Sequence, residues 1–130
     1  MGKIYTAIGL MSGTSLDGID VSIIESDGIR EYSSILDMYF EYDDKLIKKM
    51  LKIRDKIVTI EDLNLNSLEI KSLEKDITLF HAKAVKESIK KSKSIIDIIG
   101  FHGQTIFHNA QKKITKQLGD GNLLSQLTKK

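Results

Sequence analysis

The chain has 130 residues, 41% of them hydrophobic and 29% charged, with a mean hydropathy of -0.16 and a formal net charge of +2. A chain of this length builds one core, and this balance excludes a membrane span, a collagen-like fibre and wholesale disorder and argues against general nucleic-acid binding. The absence of cysteine removes disulfides, thiolate metal sites and a Cys nucleophile from consideration.

Met1-Gly2-Lys3 runs directly into a short apolar segment broken by Ser12 and Asp17, without the core and cleavage site of a signal peptide. A cytoplasmic protein with no membrane contact is the expectation. Acids dominate residues 1–42 and bases dominate the rest. Lys83, Lys86, Lys90, Lys91 and Lys93 fall at the end of an expected helix, where lysine complements the helix dipole. No aromatic set interleaves them, so they read as a solvated helix end and not as a nucleic-acid surface.

Residues 4–11 form a β-rich run, a Ser/Gly/Thr/Asp cluster follows, and a second β-rich run occupies 19–25. Asp27-Gly28 signals a hairpin, and 30–41 supplies a third extended segment. From Asp43 the apolar period becomes helical: Leu46, Ile47, Met50, Leu51, Ile53 and Ile57 predict a helix over 43–57. Ile70, Leu73, Ile77, Phe80, Ala84, Val85 and Ile89 predict a longer one over 67–92. Residues 95–101 are apolar at nearly every position, as in a parallel strand buried on both faces. An extended pair is expected over 105–108 and 113–117, and then a last helix near Leu123 capped by Asn122. Three antiparallel strands, then helices, then a buried parallel strand is the order of a ribonuclease-H-like α/β unit.

Three segments carry the candidate chemistry. Gly9-Leu10-Met11-Ser12-Gly13-Thr14-Ser15-Leu16-Asp17-Gly18-Ile19-Asp20 sets glycines, hydroxyls and carboxylates between two strands, which suits phosphate contact as well as an ordinary polar hairpin. It is not a Walker A loop, because no Gly-Lys-Ser/Thr closes it and no helix follows. Gly100-Phe101-His102-Gly103-Gln104-Thr105 lies at the carboxyl end of a strand, where ligands collect in open α/β sheets. Leu118-Gly119-Asp120-Gly121-Asn122 is a turn that could aim Asp120 at the same place. His81 and His108 have no partner at metal-ligand spacing, and no metal site is expected within the chain.

In order and separation these three segments resemble the anhydro-N-acetylmuramic acid kinase family, from Tyr5 to about Leu127. The resemblance implies the sugar kinase, Hsp70 and actin superfamily, in which two ribonuclease-H-like domains close on ATP. The 130 residues would be the N-terminal lobe, incomplete at its C-terminal end and without the second lobe. It implies that Gly13, Thr14, Ser15, Leu16, Asp17, Gly18, Ile19 and Asp20 hold the phosphates of ATP with Mg2+. His102, Gln104 and Asp120 would contact the substrate, anhydro-N-acetylmuramic acid.

The implied reaction opens the 1,6-anhydro ring and phosphorylates O6 in peptidoglycan recycling. The family's water-activating aspartate lies in an Asp-Phe-Arg stretch that these residues do not contain. No catalytic residue is therefore expected among them, and the chain alone is expected to be inactive. Either a truncated or split kinase working with a separately encoded C-terminal half, or a non-enzymatic remnant that binds phosphate weakly, fits this pattern. A chain cut here is further expected to expose Leu123, Leu124 and Leu127 and to self-associate.

Overall fold

Alternating apolar positions build the first sheet. The computed structural model describes residues 2–130. In it β1 (Tyr5–Met11), β2 (Gly18–Ser26) and β3 (Tyr32–Glu41) form an antiparallel meander. Every second residue of β2, Ile19, Val21 and Ile23, is buried, together with Ile8 and Leu10 of β1. That period of two sends one face of the sheet into the core. The β2–β3 hairpin turns at Asp27, whose carboxylate accepts from the N–H groups of Ile29, Arg30 and Glu31. Those three donors hold its carboxyl below the ordinary carboxylate range.

Asp43 starts α1 (Asp44–Lys56) by accepting the Leu46 N–H at 2.7 Å. Leu46, Met50 and Ile53 of this helix face inward. A short helix that the periodicity does not predict, α2 (Ile60–Leu65), comes next. Its start is fixed by Asp62, which accepts the N–H groups of Val58 and Thr59 at 2.9 and 2.8 Å. The long helix α3 (Ser67–Ser92) covers 26 residues, about 39 Å at 1.5 Å per residue, enough to run across β2 and β3. It closes on Lys93 in the left-handed region, with the Lys93 N–H on the Ile89 carbonyl.

The half-buried Lys49–Asp76 pair and the exposed Lys56–Glu69 pair join α1 to α3 and contribute about 1 kcal/mol or less each. A single buried Leu, Ile or Met contributes roughly 1.5–3 kcal/mol, so the inward stripes of both helices dominate this packing.

The apolar run near residue 98 forms β4 (Ile98–Phe101), parallel to β1 at the edge of a sheet ordered β3-β2-β1-β4. The parallel direction agrees with the sequence reading, but the burial does not. Ile98 is 58% exposed and Ile95 82%. The residues that join the core lie on one face of the sheet, leaving Ala7, Gly9, Ile24, Ile98 and Gly100 along an open groove on the other. An unbroken apolar run does not distinguish a strand covered on both faces from an edge strand.

A separate hairpin, β5 (Gln104–Asn109) with β6 (Ile114–Leu118), then leads into α4 (Gly121–Thr128). The expected exposure at α4 is corrected as well: Leu124 is only 2% exposed, Leu123 and Leu127 are half-buried, and the helix packs on α3. No helix among the described residues is long and apolar enough to cross a membrane.

Candidate functional site

Parallel strands end on the same side of a sheet, and this brings two of the three segments together. Leu10 of β1 is level with Phe101 of β4, so Ser12 and His102 leave the sheet side by side. The Ser12 N–H faces the Nε2 of His102 at 3.4 Å, and the Ser12 hydroxyl donates to the Gly103 carbonyl at 2.7 Å. The Gln104 amide nitrogen donates to the Gly13 carbonyl at 2.8 Å and to the Thr105 carbonyl at 3.2 Å. Its Oε1 accepts from the Tyr42 hydroxyl at 3.0 Å. At the far end of the loop, the Asp17 carbonyl accepts from the Tyr42 N–H at 2.9 Å.

The loop between β1 and β2 is thus held from behind through its carbonyl groups. Leu16 is only 2% exposed and plugs the loop into the core at a φ of 59°. A bulky side chain in that region costs about 1–2 kcal/mol, which burial of the leucine offsets. Its own N–H turns inward to the Gly13 carbonyl at 3.4 Å. The N–H groups of Gly13, Thr14, Ser15 and Asp17 find no acceptor among the described residues, and Thr14, Ser15 and Asp17 are exposed. Two carbonyls held by the protein, at Gly13 and Asp17, with four amides left unpaired between and beside them, give the polarity of an anion cradle. The Ser15 hydroxyl donates to the Asp17 carboxylate at 2.8 Å and fixes the tip.

The third segment reaches the same end of the sheet through two close approaches. Gly103 has φ +78, and a Cβ there would run into the backbone of Leu118. A Cβ on Gly119 would meet the Phe101 ring and the Gly103 Cα. The Gly119 N–H donates to the Glu74 carboxylate at 3.1 Å and the Asp120 N–H to the Thr78 hydroxyl at 3.0 Å, so α3 fixes the turn from below.

A sequence model described as Anhydro-N-acetylmuramic acid kinase matches residues 5–129. The chain belongs to the anhydro-N-acetylmuramic acid kinase family. Relatives carrying that name come from Pelagibacter ubique, 62% identical over 130 residues, and from Agrobacterium fabrum, 39% identical over 131. A third, from Rhizobium etli, is 37% identical over 133 residues. The alignments cover 100%, 98% and 98% of this chain but 35% of each relative, so the chain spans about a third of the length of the curated relatives it matches.

The residues that the kinase resemblance singles out divide by position. Gly13, Thr14, Ser15 and Asp17 form the outward rim of the loop. Leu16, Gly18 and Ile19 are buried, Ile19 opposite Phe40 in the β2–β3 pairing, while Asp20 is exposed and opposite Tyr39. Burial, with the charges of Asp17, Glu41 and Asp20, raises the Tyr39 phenol above its ordinary value. His102 is half-buried; with Nε2 facing the Ser12 N–H, its ring proton belongs on Nδ1, a buried atom without a partner.

Gln104 departs from its expected place at the substrate: it is fully buried and its amide is satisfied inside the protein. Asp120 is exposed and, with its Oδ1 on the Leu123 N–H, it caps α4. The cap expected at Asn122 is therefore two residues too late, because the helix already begins at Gly121.

One conformation and one residue of the site escape sequence reading. Leu16 lies in the left-handed region without the glycine or asparagine that would mark it. Tyr42 sits between a strand and a helix, where its sequence neighbours give no sign that its hydroxyl meets a residue 62 positions away.

Proposed function

We propose that this chain is the phosphate-binding part of an anhydro-N-acetylmuramic acid kinase, a ribonuclease-H-like lobe whose β1–β2 loop receives the phosphates of ATP. The observation that carries the reading is the loop's polarity: its carbonyls are tied to Gln104 and Tyr42, while the amides of Gly13, Thr14, Ser15 and Asp17 are left to an anion. The transferring phosphoryl carries spreading negative charge, and preorganised N–H donors stabilise it without reorganising. Gly18, Ile19 and Asp20 anchor the loop at the start of β2.

The meeting of the His102 and Asp120 segments at the same end of the sheet supports a role for both residues in sugar contact, with Gln104 acting from behind the loop. Among the described residues no three carboxylates or histidines form a cation site. Mg2+ would therefore bind mainly through the nucleotide, as is usual for this ion, with Asp17 and Asp20 as the flanking carboxylates. When bound it neutralises phosphate charge.

In the reaction, a water oxygen bonds to C1 of the anhydro sugar as the C1–O6 bond breaks. O6 bonds to the γ-phosphorus, and ADP leaves. Activation of that water, and closure that excludes bulk solvent, fall to residues outside these 130. Those residues come from the remainder of the first lobe and from a second lobe, whether on the same polypeptide or on a partner, in a cytoplasmic enzyme of peptidoglycan recycling.

A chimera tests the reading. This chain replaces the matching 130 residues of the Pelagibacter ubique relative, and ADP release dependent on anhydro-N-acetylmuramic acid is measured. The chimera is expected to turn over, and Gly13→Val, which crowds the rim with a branched side chain, is expected to lower kcat/KM by about 100-fold. An inactive chimera beside an active parent would favour the alternative reading, a remnant that binds phosphate weakly.

A further inference from the structure

We propose that Tyr42 is a positioning residue that sets the shape of the β1–β2 loop by fixing both of its ends at once. This deepens, and rests on, the reading of that loop as a phosphate site.

Tyr42 follows directly on β3, whose last residue Glu41 is opposite Gly18. Its N–H therefore continues the ladder by one step, to the Asp17 carbonyl at 2.9 Å. The same residue reaches back with its hydroxyl to Oε1 of Gln104 at 3.0 Å, and Gln104 passes the restraint to the Gly13 carbonyl at 2.8 Å. The orientation of the amide is unambiguous, because Gly13 and Thr105 both present carbonyl oxygens to its nitrogen.

A trans peptide is rigid and its C=O and N–H point in opposite directions, so a Gly13 carbonyl held inward sends the Thr14 N–H outward. One tyrosine, through its backbone and its ring, thereby brackets the four residues that present the free amides. The ring is itself fixed: it is buried and packs edge-on against Phe80 at 5.0 Å. Burial raises the phenol to about 12, so the hydroxyl remains a donor at any working pH.

Tyr42→Phe keeps the ring and removes only the hydroxyl. Ile53→Val, in the core of α1, serves as a control that costs stability without touching the relay. Both variants and the unsubstituted full chain are titrated with MgATP, and the order parameters of the loop amides are measured without ligand by NMR. Tyr42→Phe is expected to bind MgATP about five- to tenfold more weakly, as fits one lost buried hydrogen bond and a less preorganised loop. Its Gly13, Thr14 and Ser15 amides are expected to show lower order parameters, while Ile53→Val changes neither quantity. The proposal is overturned if Tyr42→Phe binds within twofold of the unsubstituted chain with loop order unchanged, or if Ile53→Val reproduces its effect. Absence of MgATP binding by the unsubstituted chain would reject the phosphate site instead, and the ligand-free order parameters would still decide the role of Tyr42.

Discussion

Gly103→Ala is expected to destabilise the chain by about 3–5 kcal/mol, enough to abolish a cooperative urea transition in a domain of ordinary stability. Two separate costs add at this position. The backbone there has φ +78, and a left-handed conformation costs an L-residue about 1–2 kcal/mol. The new Cβ would also overlap the Leu118 carbonyl, with the carbonyl carbon at 2.8 Å and the Gly119 nitrogen at 3.2 Å. All three are backbone atoms, so relief requires β6 to move away from the end of β4. The Ser12 hydroxyl, which rests on the Gly103 carbonyl, would move with it.

Gly28→Ala isolates the first cost, since φ is +76 but no atom lies within 4 Å of the added carbon. It should lower stability by only about 1 kcal/mol. Equal losses from the two substitutions in urea melts would show that the contact between Gly103 and Leu118 is unimportant.

The second large effect is acid sensitivity from His81. This side chain is 1% exposed, stacks edge-on against Phe101 at 5.0 Å and donates from Nδ1 to the Ile77 carbonyl at 2.7 Å. Burial lowers its pKa from the ordinary 6.5 to about 4, against the opposing effect of the hydrogen bond to Ile77 and with a smaller downward push from His102. The unfolded chain therefore takes up a proton at this residue before the folded one does. Stability is complete above the unfolded value, falls as pH drops from about 6.5 to about 4, and loses on the order of 3 kcal/mol over that window.

His81→Phe keeps an aromatic ring in place, and the Ile77 carbonyl retains its helical hydrogen bond. Urea midpoints measured between pH 7 and pH 4 should fall steeply for the unsubstituted chain and much less for the variant. Parallel slopes would mean that His81 is not the group responsible.

Much of this architecture could be read along the sequence because it follows from local periods. The alternation in β2 and the Leu46, Met50, Ile53 stripe of α1 are complete within their own segments, and α3 begins and ends where its pattern does. The structure departs from that reading where a property belongs to two segments at once. Ile98 is apolar whether or not anything covers it, and only the placement of the helices on one face decides its exposure. α2 is too short for a period to register and depends on the Asp62 side chain bonding back to the Val58 and Thr59 amides.

The site shows the same division. Its hydroxyls, glycines and carboxylates stand out in the chain, and the parallel pairing of β1 with β4 explains why the segments around Ser12 and His102 meet. That Gln104 works from behind the loop, and that Tyr42 supports it, depends on a contact between residues 62 positions apart. No local pattern encodes such a contact.

The most direct measurement is a titration of the 15N-labelled chain with MgATP at millimolar concentrations, read amide by amide. Saturating shifts are predicted for Gly13, Thr14, Ser15 and Asp17, with the lysines at the end of α3 little affected. If the loop amides remain still while Lys83 to Lys93 respond, the nucleotide is merely condensing on a basic helix end, and the loop is an ordinary hairpin.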